Sequence, residues 1–417
     1  MAKEHIITGI DIGSRYIYTV VASVSGDTPL PKVIGIGRSR SAGIRKGMII
    51  DPEGASGAIK ASVKEAEKAS GEAIKEAFIS IGGDHIESMP SRGVVAISRA
   101  DGEITDDDVE RVRTAAATVT LPQNREILHN IPKEYIVDKE EGLRDVVGMR
   151  GLRLEANTLI VAGSTAHIKN LTRCVNEADV DVDGFVLAPI AAAQAVLSNR
   201  QKELGVLCLD IGAGTTNMSV FEEGNLIHAN TIPLGGDNIT NDLAIGLRIN
   251  VDVAERIKRE YGMALVSEAS KGNAIDLSQY DPNEKDTVSR KELIEIMEAR
   301  LYEIFELVNK ELREIGKEAF LPGGVVLTGG CAKIPHIVDM CKMKLRLPVQ
   351  IGFPRDVDTI SASIDDPSYA TSLGLIFYGF EEGEYDSMKF SFPNLPKFSN
   401  REGGNGRIKR WLRTLLP

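Results

Sequence analysis

The chain has 417 residues, 42% of them hydrophobic and 26% charged, an ordinary globular composition that excludes global disorder. At roughly 100–200 residues per domain it holds two or more domains. Its 49 Lys and Arg face 60 Asp and Glu, and the net charge of −11 excludes a whole-chain electrostatic footprint for nucleic acid, which is not expected as a partner.

The first elements read as strand, tight turn, strand over residues 6–24, with β-branched residues flanking Gly13-Ser14. VIGIG at 33–37 is a third strand. Residues 52–70 read as a helix, with Pro52 in the first turn and Ala58, Ile59, Val63 and Ala66 on one face. FISIGG at 78–83 is a short buried strand. From 84 to 162 the texture changes. A strand at 93–98 precedes a capping-box spacing, Thr105 to Asp108, that opens a helix to about Val119. Residues 125–138 alternate as a strand pair or one long strand, and 152–164 form another strand. This module reads as an insertion in a larger domain.

A second half starts near residue 205. GVLCLDIGAGTTNMSVFEEGNLIHANTIPLGG repeats the opening order of strand, DIG turn, strand, turn, strand. This is a duplication at domain scale. Helical sequence follows over about 237–261 and 289–316. VVLTGG at 325–330 is a strand ending on a glycine turn, and AKIPHIVDMCKMKL reads as a helix behind it. Glu384 to Gly406 is polar and broken by Pro393, Pro396, Gly403, Gly404 and Gly406, and reads as a flexible linker. As a random coil it would span about 25 Å.

The four cysteines, Cys174, Cys208, Cys331 and Cys341, show no CxxC pair, which speaks against a zinc site and fits core fillers in a reducing cytoplasm. The N-terminal sequence lacks a secretory pattern, and no run of about eighteen apolar residues is present. A cytosolic protein, or one bound to a membrane from the cytosolic side, is expected.

The chemistry concentrates in three turns. A carboxylate ending a buried strand can hold Mg²⁺ through water, and an adjacent glycine lets backbone N–H groups approach phosphate. Asp11-Ile12-Gly13-Ser14 has this form, although an ordinary β-turn reads the same way. Asp210-Ile211-Gly212-Ala213-Gly214-Thr215-Thr216-Asn217 is stronger, with glycines, hydroxyls and an amide behind the carboxylate. Leu327-Thr328-Gly329-Gly330 permits close backbone approach to a sugar or base. The P-loop and GxGxxG patterns are absent.

These turns, in this order, resemble the actin-like ATPase superfamily. Within it, GIDIGSRYI (9–17), GMRGLRLEANTLIVAGS (148–164), LDIGAGTTNMSVFEEG (209–224), IPLGGDNITNDLA (232–244) and GGVVLTGGCAKIPHI (323–337) are similar to the FtsA family of bacterial division proteins. The resemblance implies an α/β fold of two duplicated RNase H-like halves around a nucleotide cleft, with an inserted α+β subdomain in the first half. The implied divisions are 1–83 for the first half, 84–162 for the insertion, 163–204 for the return with a crossing helix, and 205–383 for the second half. The linker, 384–406, and a terminal helix, 407–417, complete them.

The resemblance also implies ATP and Mg²⁺ as ligands. Asp11, Gly13 and Ser14 match the first phosphate loop; Asp210, Gly212, Gly214, Thr215, Thr216 and Asn217 match the second. Asp11 and Asp210 would hold the metal, through water. Gly235, Gly236 and Asp237 form a turn near the nucleotide. Glu255 and Lys258 match adenosine contacts, although their spacing alone equally suits an exposed ion pair. Gly329 and Gly330 match the adenosine loop, where Cys331 departs from the glycine or small residue common in relatives. Lys333 either reaches the nucleotide or lies exposed. No water-positioning residue stands out, so slow ATP hydrolysis at most is expected, with ATP acting as a conformational ligand.

Residues 407–417 (RIKRWLRTLLP) form an amphipathic helix when wound at 100° per residue. Ile408, Trp411, Leu412, Leu415 and Leu416 fall within an arc of about 140°. Arg407, Lys409, Arg410 and Arg413 take the remainder. Four cations without an acid suit an anionic lipid surface, although docking onto the protein's own core or a partner reads similarly. The rest of the chain then carries −15. The FtsA resemblance implies self-assembly, binding of the C-terminal peptide of FtsZ, contact with later division proteins, and a peripheral place on the cytoplasmic membrane face at the septum. A pilus-assembly adaptor of the PilM type, and less favourably a sugar-kinase-like phosphotransferase, are the alternatives.

Overall fold

The structure is a computed structural model that describes residues 5–25, 30–119, 121–269, 274–282, 286–355, 358–359 and 364–388. Two mixed sheets repeat one plan. In the first, the order is Asp181–Leu187, Glu76–Ile81, His5–Ile12, Tyr16–Val24, Lys32–Arg40, with Asp358–Thr359 added at the edge. In the second it is Val349–Ile351, Val325–Thr328, Val206–Ile211, Thr216–Glu222, Asn225–Ile232. Three strands consecutive in sequence run as antiparallel neighbours. The other two lie parallel, since each is reached through a helical crossover. The duplication read from the two DIG turns is therefore a duplication of strand order.

Registers place the two aspartates equivalently. Asp11 pairs with Tyr18 on one hairpin, and Asp210 pairs with Asn217 on the other. One large core holds Ile10, Ile17, Val20, Ile59 and Ile79 of the first half and continues through Ala191 and Val196 to Val206, Cys208 and Phe221 of the second sheet. The other, with Leu207, Leu209, Leu243, Met297 and Phe305, lies within the second half.

The helix Pro52–Ser70 spans the expected range. Its proline stands in the first turn and Gly71 ends it in the left-handed region at φ 77°. The segment read as helical over 237–261 is two helices, Gly236–Leu247 and Val251–Tyr261. Arg248 turns left-handed at φ 58°, and Asn250 caps the second helix by accepting from the Asp252 N–H at 2.9 Å. Behind the TGG turn the helix starts only at Ile337; Pro335 keeps its predecessor out of helical geometry, and Gly330–Lys333 forms a single 3-10 turn. The helix Ala370–Met388 runs past Glu384, so the stretch expected as linker from 384 begins inside a helix, ahead of the first breaking proline, Pro393. The terminal segment 407–417 lies outside the described residues.

The insertion is one antiparallel sheet, ordered Glu87–Ala96, Arg153–Ser164, Arg125–Val137, Glu140–Leu143, covered by the helix Asp106–Ala117. The Thr105 N–H donates to the Asp108 carboxylate at 3.0 Å, as the capping-box spacing predicts. The segment expected over 125–138 is one long strand, Arg125–Val137, and one of its two register shifts falls beside Pro132, which has no N–H to donate. The insertion is tied to the first half where His129 Nε2 accepts from the Leu187 N–H at 3.0 Å. Its Ser88 hydroxyl donates to the Ala229 carbonyl of the second half at 3.0 Å.

Two helices cross beneath both halves. Ala188–Val196 packs against Ala370–Met388, and Gly374 is the point of closest approach. A Cβ there would stand 1.7 Å from the Ala191 carbonyl oxygen. Gly374→Ala should therefore destabilise the chain by about 3 kcal/mol, measured by urea denaturation of the full-length protein.

Candidate functional site

The two hairpin turns face each other across a cleft of about 540 Å³. Asp11, Gly13 and Ser14 line it from the first half; Asp210, Gly212, Gly214, Thr215 and Asn217 line it from the second. The turns touch. A Cβ on Gly214 would stand 2.4 Å from Ser14 Oγ, and that hydroxyl accepts from the Gly47 N–H at 3.1 Å. Gly13, Gly212 and Gly214 put no side chain into this space, so a ligand can come close to the backbone, as phosphate binding requires.

The floor is a pair of carboxylates at matching strand ends. Ser80 donates to Asp11 Oδ1 at 2.8 Å while accepting from the Ile12 N–H at 2.9 Å. Asn217 donates to Asp210 Oδ2 at 3.1 Å, and Thr371 donates to the same oxygen at 3.3 Å. Loss of hydration pushes the Asp11 carboxyl up to about 7; Ser80 opposes the shift and the neighbouring Asp210 adds to it. Burial raises Asp210 as well, against its bonds to Asn217 and Thr371. Among the described residues no group of three His, Cys, Asp or Glu forms a protein-only metal cage. Two hard oxygen donors that repel each other suit a small divalent cation completed by water and ligand oxygens.

The second-half wall carries Glu255 and Lys258 on one face of Val251–Tyr261. Their side chains are only 12% and 10% exposed and pair at 2.6 Å, so this is not the solvated ion pair that spacing alone permits. Lys258 also donates to Thr240 Oγ1 at 2.7 Å and to the Gly236 carbonyl at 2.9 Å. Burial would raise the Glu255 carboxyl, but Lys258, Thr240 and Arg15 together hold it below the ordinary range. Arg15 was not legible as a site residue, because an arginine after a hairpin turn reads as exposed. It crosses the cleft to Asp237 and Glu255, at 3.2 and 3.1 Å. Ser80 and Thr371, far away in sequence, were equally invisible.

At the third turn Gly329 stands at φ 84°, and a Cβ there would be 2.1 Å from Asp210 Oδ1. No other residue fits. Gly330, Gly236 and Asp237 also line the cleft. The Cys331 thiol turns to the Gly212 carbonyl at 3.4 Å, beneath Gly236, and burial pushes it up to about 11. The departure from glycine thus fills space under the second loop. Lys333 reaches the cleft mouth but is paired with Asp366 at 2.9 Å. Two expected residues shape the walls without lining the cleft. Thr216 is fully buried and donates to the Leu234 carbonyl at 2.8 Å. Gly235 backs onto Ala213, where a Cβ would stand 2.6 Å from the carbonyl oxygen.

The family model described as "Cell division protein FtsA" matches residues 207–374, and that described as "SHS2 domain inserted in FTSA" matches 83–162. The cell division protein FtsA of Pseudomonas aeruginosa is 36% identical over 98% of this chain and 97% of its own. This chain belongs to the FtsA cell division family. Solved structures under 25% identical show its fold. A chain of the PilM-PilN type IV pilus biogenesis complex matches with TM-score 0.63 at 15% identity, covering 89% of this chain and 98% of its own. MreB5 of Spiroplasma citri bound to ADP matches with TM-score 0.54 at 14% identity, covering 93% and 99%. The fold is actin-like, and residues 83–162 are an SHS2 insertion. Among the described residues no helix is long and apolar enough to cross a membrane.

A carboxyl raised to about 7 favours its protonated form in the fold, so it weakens stability as pH rises from the ordinary carboxylate range through that value. Asp11→Asn keeps the acceptor for Ser80 and removes the charge. It should be more stable than the parent by at least about 1 kcal/mol near pH 8. The difference should shrink toward about pH 4 in urea titrations.

Proposed function

We propose that this chain is an ATP-binding, self-assembling division protein that tethers FtsZ to the cytoplasmic membrane face at the septum and recruits later division proteins. The observation that carries the reading is the cleft. Two carboxylate-ended hairpin turns, one from each half, meet across a single space. A polyphosphate there touches both halves at once, through Gly13 and Ser14 on one side and Gly212, Gly214, Thr215 and Asn217 on the other. Asp11 and Asp210 would hold Mg²⁺ through water, and the cation would relieve the repulsion between them. Glu255 and Lys258 would meet the ribose, and Gly329 and Gly330 would lie along the adenosine.

The nucleotide acts mainly as a conformational ligand. It touches both halves across the cleft, so its binding energy is available to set the angle between them. Hydrolysis is slow at most. FtsZ's C-terminal peptide docks on the second half, among the helices of 237–316, and the insertion meets downstream proteins or neighbouring subunits.

The membrane role rests on the sequence of 407–417, whose apolar arc and four cations match an interfacial helix. Each cation near an anionic surface contributes roughly 1 kcal/mol, enough to draw the basic end of an otherwise acidic chain to lipid.

Two experiments test the reading. Calorimetric titration of the full chain with ATP should show binding that Mg²⁺ strengthens; absence of any adenine-nucleotide binding overturns the cleft assignment. Full-length protein should co-sediment with vesicles containing anionic lipid, while a version ending at Gly406 should lose most of that binding. Equal binding by both would remove the tail from the account.

A further inference from the structure

Arg15 directly follows Gly13 and Ser14 in the first turn, yet its guanidinium ends on the other half. Nη1 lies 3.2 Å from Asp237 Oδ1, and Nη2 lies 3.1 Å from Glu255 Oε1. The arginine side chain is 30% exposed, so it borders the cleft instead of being sealed behind it. A second ion pair between the halves, Arg40 with Asp252, is 3.8 Å long with both side chains about four-fifths exposed, and such pairs contribute little.

The two oxygens of Glu255 differ. Oε2 takes Lys258 Nζ at 2.6 Å and the Thr240 hydroxyl at 2.6 Å. Oε1 takes Arg15. A hydroxyl donor entering the cleft toward Glu255 therefore meets the oxygen that Arg15 holds. Lys258 is fixed by its further bonds to Thr240 and Gly236, at 2.7 and 2.9 Å. The guanidinium is the cation that must yield.

We propose that Arg15 is the residue that makes the cleft select nucleoside polyphosphates over bare nucleosides, by giving up the second half's carboxylates for the ligand's phosphates. The proposal rests on the nucleotide reading of the cleft. A neutral nucleoside that takes Glu255 Oε1 leaves the guanidinium with Asp237 alone and offers no anion in return. A polyphosphate offers one at the root of the same side chain, where Gly13 and Ser14 border the cleft. The planar fork of arginine matches phosphate oxygens in pairs, a geometry that an ammonium lacks. Because the released pair spans the two halves, the exchange also moves their electrostatic tie from protein to ligand.

The test is calorimetry on the full chain with adenosine and with Mg-ADP, for the parent, Arg15→Ala and Arg15→Lys. In Arg15→Ala adenosine should bind as tightly as in the parent or more tightly, while Mg-ADP weakens. The ratio of the two affinities should fall about tenfold. Arg15→Lys, which keeps the charge without the fork, should fall in between and guards against a folding defect in the alanine variant. A ratio that falls less than about threefold in Arg15→Ala, or that rises, overturns the proposal. Failure of the parent itself to bind Mg-ADP would instead overturn the nucleotide reading beneath it.

Discussion

Two aspartates, Asp11 and Asp210, end matching strands and meet at the floor of one cleft, where burial makes both harder to ionise and the charge of Asp210 adds to the shift of Asp11. Most of the surrounding architecture is explained by that constraint. Hydroxyl and amide donors reach in from other strands and helices: Ser80 to Asp11, and Thr371 with Asn217 to Asp210. They offset part of the lost hydration without neutralising the charge. What remains is a local excess of negative charge that a cation can relieve, and that is useful only if the two halves stay close.

Closeness is secured by omission of side chains. Gly214 lets one turn touch Ser14 of the other, Gly329 lets the third turn approach Asp210, and Gly374 lets the two crossing helices meet below. Each contact leaves no room for a Cβ. Away from the cleft the first half's core continues through Ala191, Val196 and Leu375 into Val206, Cys208 and Phe221 of the second sheet, while across the cleft the halves meet through backbone contact and polar pairs. The polar side of this joint is softer than the apolar side, and a ligand touching both halves has leverage on it. Arg15 belongs to this joint. It borders the space for the ligand and binds the opposite wall, so occupancy of the cleft and attachment of the halves draw on the same guanidinium.

Much of the fold was readable because strands and turns announce themselves locally. The DIG repeats marked the duplication, the Thr105–Asp108 spacing marked the insertion's helix, and Pro52 marked the start of another. Readings slipped where a local break has no strong residue behind it. Arg248 adopts a left-handed conformation between two helices, and nothing about an arginine forecasts that. The helix that runs through Glu384 to Met388 differs for the opposite reason, since its polar sequence reads as a linker yet holds no proline.

For the site, the sequence by itself determined which backbone could approach a phosphate and where carboxylates would end strands. Those are properties of consecutive residues: a buried strand, an aspartate, a glycine. It determined the amphipathic end of the chain in the same way. Only the tertiary structure decided which residues turn inward to serve those loops. Ser80, Thr371 and Arg15 carry no local pattern. Thr216 has the right chemistry and the right neighbours, but the alternation of the strand sends it to Leu234 instead of the cleft. Glu255 and Lys258 were ambiguous on the helix and became a buried pair only when a neighbouring helix covered them. Direction and burial are set by packing between distant segments, and no stretch of the chain states them alone.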